Sequence, residues 1–143
     1  HLWYDFLKSL PITIKRQKII ENMTYTIRTV AQNRPIILIG YSGGALLSGL
    51  IINQNPDMNI IQWITIAGVL NHTDWTTYFG DKPLTKSAEL NTLPHVLQTH
   101  YIAEHDSVVP NELSKKWTGD KNLITVPNAT HGHLSKIKLQ FNH

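Results

Sequence analysis

The 143-residue sequence contains no cysteine. Disulfides, thiolate catalysis and cysteine-ligated metal are thereby excluded, and a reducing compartment is permitted. Charge is sparse: 16% of residues are Asp, Glu, Lys or Arg, and 13 basic against 10 acidic groups give +3 with histidine neutral. The small basic cluster of Lys15, Arg16 and Lys18 reads as a solvated helix face. Nucleic-acid binding would call for a larger basic patch with aromatic residues beside it. Long apolar runs are also missing; Ile36–Ile39 and Ala45–Leu47 fall far short of a membrane span. No charged-then-apolar leader opens the chain, which favours a cytoplasmic location. The hydrophobic fraction, 41%, is an ordinary globular balance and argues against disorder. The length suits one domain over 1–143.

What is present is an alternation of helical and strand-like segments. Thr13 to Asn33 reads as a helix with Ile20, Met23, Ile27 and Val30 on its apolar face, Lys15, Arg16, Lys18 and Arg28 on the wet side, and Pro35 as its stop. Ile36–Ile39 is a continuous β-branched run, as in a parallel strand buried on both faces. Gly43 to Asn55 reads as a helix, Ile60 to Ala67 as a second strand, and His95 to Ala103 as a third. Pro110 to Trp117 is a short helix, Leu123 to Val126 a fourth strand, and Leu134 to Leu139 the opening of a last helix. Gly68 to Pro94 is irregular and too long for a simple connection, so a functional loop or small lid is expected at about 69–94. The fold class is therefore α/β, a three-layer α/β/α arrangement with a parallel sheet.

Three strand ends carry reactive side chains, and in such sheets ligands bind at the carboxyl ends of the strands. Gly40-Tyr41-Ser42-Gly43-Gly44 places a serine between strand and helix, with glycines two before and two after to relieve Cβ clashes. The Gly43 N–H, at the positive end of the helix, is a candidate oxyanion donor. Asp106 follows the third strand and can orient a histidine; Glu104 is the rival carboxylate. His131 follows the fourth strand and can serve as general base, with His133 as its rival. A His-x-His pair with His100 or His105 could instead hold zinc, but that leaves the serine turn unexplained. Tyr41, Trp75 and Tyr78, with Phe79, are candidates for a substrate pocket; the alternative is that these aromatics pack the loop onto the body.

The order Ser42, Asp106, His131 is that of the α/β-hydrolase triad. From about Ile12 to His133 the chain resembles the α/β-hydrolase superfamily and, within it, uncharacterised bacterial hydrolases. The likeness lies in Ile39-Gly40-Tyr41-Ser42-Gly43-Gly44-Ala45, Thr65-Ile66-Ala67-Gly68, Asp74-Trp75-Thr76, Pro83-Leu84-Thr85-Lys86-Ser87, Asp106-Ser107-Val108-Val109-Pro110 and Thr130-His131-Gly132. The resemblance implies a serine hydrolase, esterase- or lipase-like, acting on a small ester or acyl substrate without cofactor or metal. Pro127-Asn128-Ala129-Thr130-His131 stands where the superfamily has Pro-Gly-x-Gly-His, which favours His131 over His133. Family members have several strands before the nucleophile strand, and a loop there gives the second oxyanion donor, which is assigned to no residue here. The chain begins at His1 with one helix ahead of Ile36. It is accordingly expected to be a C-terminal portion of the full fold, its sheet completed by a preceding segment or a second copy, and weakly active or inactive alone.

Overall fold

The computed structural model describes residues 12–80 and 90–139. The Pro83–Ser87 stretch, within residues 81–89 of the expected lid, therefore lies outside the described residues. Helix α1 (Ile12–Ala31) leads to β1 (Ile36–Tyr41), α2 (Gly43–Gln54) and β2 (Ile60–Ile66). After these come α3 (His72–Tyr78), β3 (Gln98–His105), α4 (Asn111–Thr118), β4 (Leu123–Thr130) and the short α5 (His131–Leu134). The strands form one parallel sheet in the order β1-β2-β3-β4. Each parallel pair needs a crossover, and α2 and α4 supply two of them.

α1 stops at Ala31 rather than Asn33. Gln32 and Asn33 adopt positive φ, 51° and 68°, and the Gln32 N–H returns to the Arg28 carbonyl, ending the helix ahead of Pro35. Its inward face is narrower than the apolar pattern implied. Ile20 is buried, whereas Met23 and Val30 are exposed and Lys15 and Arg16 are half-covered. β1 is not buried on both faces either. It is an edge strand of the described sheet, and Ile37, Ile39 and Tyr41 are 37, 43 and 36% exposed. A continuous apolar run fits either place, because the pattern records side chains and not whether a further strand is paired.

One face of the sheet is well covered. Ala45 and Ile52 of α2, Trp63 of β2, and Leu113 and Trp117 of α4 form a buried cluster with Val69, Leu70, Leu93 and Val109. On the other face Ile64, Ile66, Ala103 and Ala129 pack under Leu134, with Ile137 and Leu139 against them. The expected helix over Leu134–Leu139 is replaced by α5 and an irregular tail. Thr130 caps a helical turn that starts earlier, and Ile137 and Leu139 reach the core at a spacing of two. β3 starts at Gln98 because the Gln98 amide nitrogen holds the carbonyls of Leu93 and Val96, keeping the preceding residues in a turn. β4 runs past Pro127 to Thr130 with a register shift, tolerable at the sheet's other edge.

His100 lies in the middle of β3 and is 2% exposed. The Gln98 amide nitrogen is spent on backbone carbonyls, so its oxygen faces the ring and accepts from Nε2–H at 2.9 Å. Nδ1 then accepts from the Thr65 hydroxyl at 2.7 Å. Burial holds this histidine neutral, its pKa pushed down from 6.5 to about 4. The unfolded chain binds the proton first, so this contribution to stability is complete above about pH 6.5 and is lost as pH falls toward about 4. The whole effect amounts to roughly 3 kcal/mol. Urea unfolding from pH 7 to 4 should show this decline, and His100→Asn should flatten it.

Candidate active site

Ser42 ends β1 at φ 52° and ψ −120°, a conformation that costs a non-glycine residue of order 1–3 kcal/mol. Both backbone groups are tied down. Its N–H donates to the Ile66 carbonyl at 2.9 Å, and its carbonyl accepts from Ala45 and Val69 at 3.1 Å. The turn is thus strapped to the end of β2, where Ala67 also has positive φ. The two flanking glycines differ. A Cβ on Gly40 would strike the Gly44 carbonyl and come within 2.6 Å of the Ala45 Cα, whereas one on Gly44 meets nothing within 4 Å. Only the glycine before the serine relieves a clash. Gly68 is a second such position, since its Cβ would lie 2.6 Å from that of Ala45.

His131 opens α5 and turns its ring to both neighbours. Nε2 stands 3.1 Å from Ser42 Oγ, and Nδ1 stands 2.9 Å from Asp106 Oδ2. The Asp106 side chain is 1% exposed and that of His131 13%. The other oxygen, Asp106 Oδ1, accepts the N–H groups of Val108 and Val109, each at 2.8 Å. One carboxylate oxygen is thereby held by its own turn and the other is left for the imidazole. Tyr41 donates its hydroxyl to the His131 carbonyl at 3.0 Å, its ring 5.2 Å from the imidazole, and so joins β1 to the start of α5.

Ser42, Asp106 and His131 are brought together, and Gly43 follows directly as the first residue of α2. Glu104 and His133 are not part of this set. Glu104 faces the exposed His105 ring at 3.0 Å. His133 Nδ1 accepts from the Thr130 N–H at 3.2 Å, completing a capping box for the turn that bears His131. A zinc site is not formed: both nitrogens of His100 are engaged, and the described residues include no metal-holding group of three His, Cys, Asp or Glu.

The expected irregular stretch after β2 contains α3. Asn71 caps it, its side chain accepting the Asp74 N–H at 3.0 Å. The candidate pocket aromatics separate on this element. Trp75 packs against the first core cluster and donates its indole N–H to the Val108 carbonyl at 2.9 Å. Tyr78 is 48% exposed, and a hydrogen bond to Glu112 raises its pKa. A depression of about 350 Å³ is lined by Trp75, Thr76, Phe79, Ser107 and Val108, so it abuts the Asp106 turn without Tyr41 or Tyr78. A larger depression, about 550 Å³, lies between α1 and the β1 edge, lined in part by Val30, Ile36 and Ile37, away from the serine.

No family model and no curated relative matches this chain. Solved structures do. One is described as a hydrolase of the α/β superfamily from Xanthomonas campestris, with TM-score 0.59 at 13% identity over 82% of this chain and 60% of that one. Another is described as a YdeN-like hydrolase from Pectobacterium atrosepticum, with TM-score 0.57 at 20% identity over 78% and 57%. A carboxylesterase structure from Nitrososphaera gargenis has TM-score 0.60 at 12% identity over 82% and 65%. The fold is that of part of an α/β hydrolase. At these identities the likeness establishes fold alone. The chain spans less than two thirds of the length of each of these structures.

The glycine geometry gives a contrast. Gly40→Ala should cost about 1–3 kcal/mol by overpacking, seen as a lower urea midpoint. Gly44→Ala, in open space within α2, should leave the midpoint unchanged or raise it.

Proposed function

We propose that this chain carries the nucleophilic machinery of a serine hydrolase that cleaves an ester, thioester or amide bond through an acyl-serine intermediate. The observation that carries the reading is the continuous path from Ser42 Oγ through His131 to Asp106, with steps of 3.1 and 2.9 Å, at the carboxyl ends of parallel strands. Ser42 attacks the substrate carbonyl while His131 Nε2 takes the hydroxyl proton. His131 returns that proton to the leaving group, and a water attacks the acyl-serine by the same route in reverse. Asp106 accepts Nδ1–H, which fixes the tautomer and favours the imidazolium that forms. The Gly43 N–H, at the start of α2, gives one donor to the oxyanion. No cofactor enters this scheme. If an alcohol replaces water in the second half, the same residues perform acyl transfer, and product analysis with competing alcohols separates the two.

A fluorophosphonate probe should label Ser42, and Ser42→Ala should abolish the labelling; a mutant that is still labelled sinks the assignment. Asp106→Asn should slow acylation by roughly 10³- to 10⁴-fold, since the histidine is then held in the wrong tautomer.

A second reading is favoured by the β1 edge. β1 ends the described sheet, and its exposed Ile37, Ile39 and Tyr41 share one face beside the apolar depression against α1, an edge and a face that a further strand and its helix would cover. On this reading a preceding segment or a second copy completes the sheet, and the isolated chain turns over esters weakly or not at all. Light scattering and turnover of a small ester, measured together, check it. Monomeric protein with robust turnover overturns it.

A further inference from the structure

Two consecutive residues of α3, Asp74 and Trp75, both grip the segment that follows β3. Asp74 Oδ2 accepts from the Trp117 indole at 3.0 Å and from Lys116 at 3.1 Å, both on α4. Trp75 donates to the Val108 carbonyl at 2.9 Å. A helix of seven residues does not persist by itself, so α3 is held by these bonds, the Asn71 cap and the packing of Trp75 on the first core cluster.

Val108 is the point of interest, because its two backbone groups act in opposite directions. Its N–H binds Asp106 Oδ1, and its carbonyl accepts from Trp75. The orientation of the Asp106 carboxylate depends on the turn that wraps Oδ1, and only Oδ2 remains for His131. The neck of this loop is closed independently, where the Asn111 side-chain amide donates to the Glu104 carbonyl at 3.0 Å. Val108 itself is 40% exposed, and among the described residues Trp75 gives the one hydrogen bond that its carbonyl accepts.

We propose that Trp75 is a positioning residue for the triad, its indole N–H holding the Val108 carbonyl so that the Asp106 turn presents Oδ2 to His131. This rests on the serine-hydrolase reading for its catalytic meaning, though the mechanical coupling does not. It also gives Trp75 a task other than lining a pocket, as its N–H is committed to the acid loop.

The test removes the donor and keeps the bulk. Trp75→Phe preserves an aromatic ring beside His72 and Phe79. If that variant does not fold, 3-benzothienylalanine at position 75 keeps the bicycle and replaces only the N–H. The readout that a packing role would not move is the nitrogen-15 shift of His131 Nδ1, assigned with His131→Gln. It should move toward the value found in Asp106→Asn, and fluorophosphonate labelling of Ser42 should slow by about three- to tenfold, the worth of one hydrogen bond. An Nδ1 shift at the wild-type value, with only the melting temperature lowered, overturns the proposal. An unlabelled wild-type serine would count against the hydrolase reading, while the Nδ1 shift would still decide the coupling.

Discussion

Ser42 keeps a left-handed backbone because its N–H and carbonyl are both bonded to the segment that ends β2 and leaves it. Everything else at this end of the sheet follows from that pair of bonds. They turn the chain sharply from β1 into α2, so that the Gly43 end of the helix lies directly beside the serine. The sharp turn forces α2 down onto β1, which is why Gly40 must pass under Gly44 and Ala45 without a Cβ. The same descent presses Ala45 onto Gly68, locking the helix to the chain leaving β2. Strain of order 1–3 kcal/mol at one residue is thus offset by three backbone hydrogen bonds and a tightly packed helix start.

The acid and the base are held differently. Asp106 is nearly sealed from water, and such a carboxylate is costly to bury unless its oxygens are matched. Here one is matched by the Val108 and Val109 N–H groups of its own turn and the other by one imidazole. His131 is fixed from both ends: the Thr130–His133 capping box sets the turn, and Tyr41 anchors its carbonyl to β1. Tyr41 lies between Gly40 and Ser42, so β1 determines where both the hydroxyl and the imidazole sit.

Much of this was readable in the residues because the reactive groups directly follow apolar strand runs. The choice of His131 over His133 was less so. Both lie on the same turn, and only the capping geometry turns one ring inward and spends the other on Thr130. α3 escaped notice because His72-Thr-Asp-Trp-Thr-Thr-Tyr is polar and rich in β-branched residues, with no apolar period. Its one local signal was Asn71 three residues before Asp74, a capping arrangement. The task of Trp75 had no local signal, since its partner is a backbone carbonyl 33 positions away. The exposure of β1 could not be read from its own apolar run, which reports what a strand would bury and not what is there to bury it; it was expected only through the resemblance to sheets with further strands ahead of the serine strand.

That last distinction separates the state of the fold from the state of the site. The groups that hold Ser42, Asp106 and His131 all lie between β1 and α5, on strands β1 to β4 and their trailing loops. None of those bonds runs across the open edge of β1. The edge of the described sheet therefore bears on stability and on association, through the apolar area of Ile37 and Ile39, rather than on the approach of the histidine to the serine. On the proposed hydrolase reading, a segment or second copy that paired with β1 would therefore be felt first in stability and association, and only through them at Ser42.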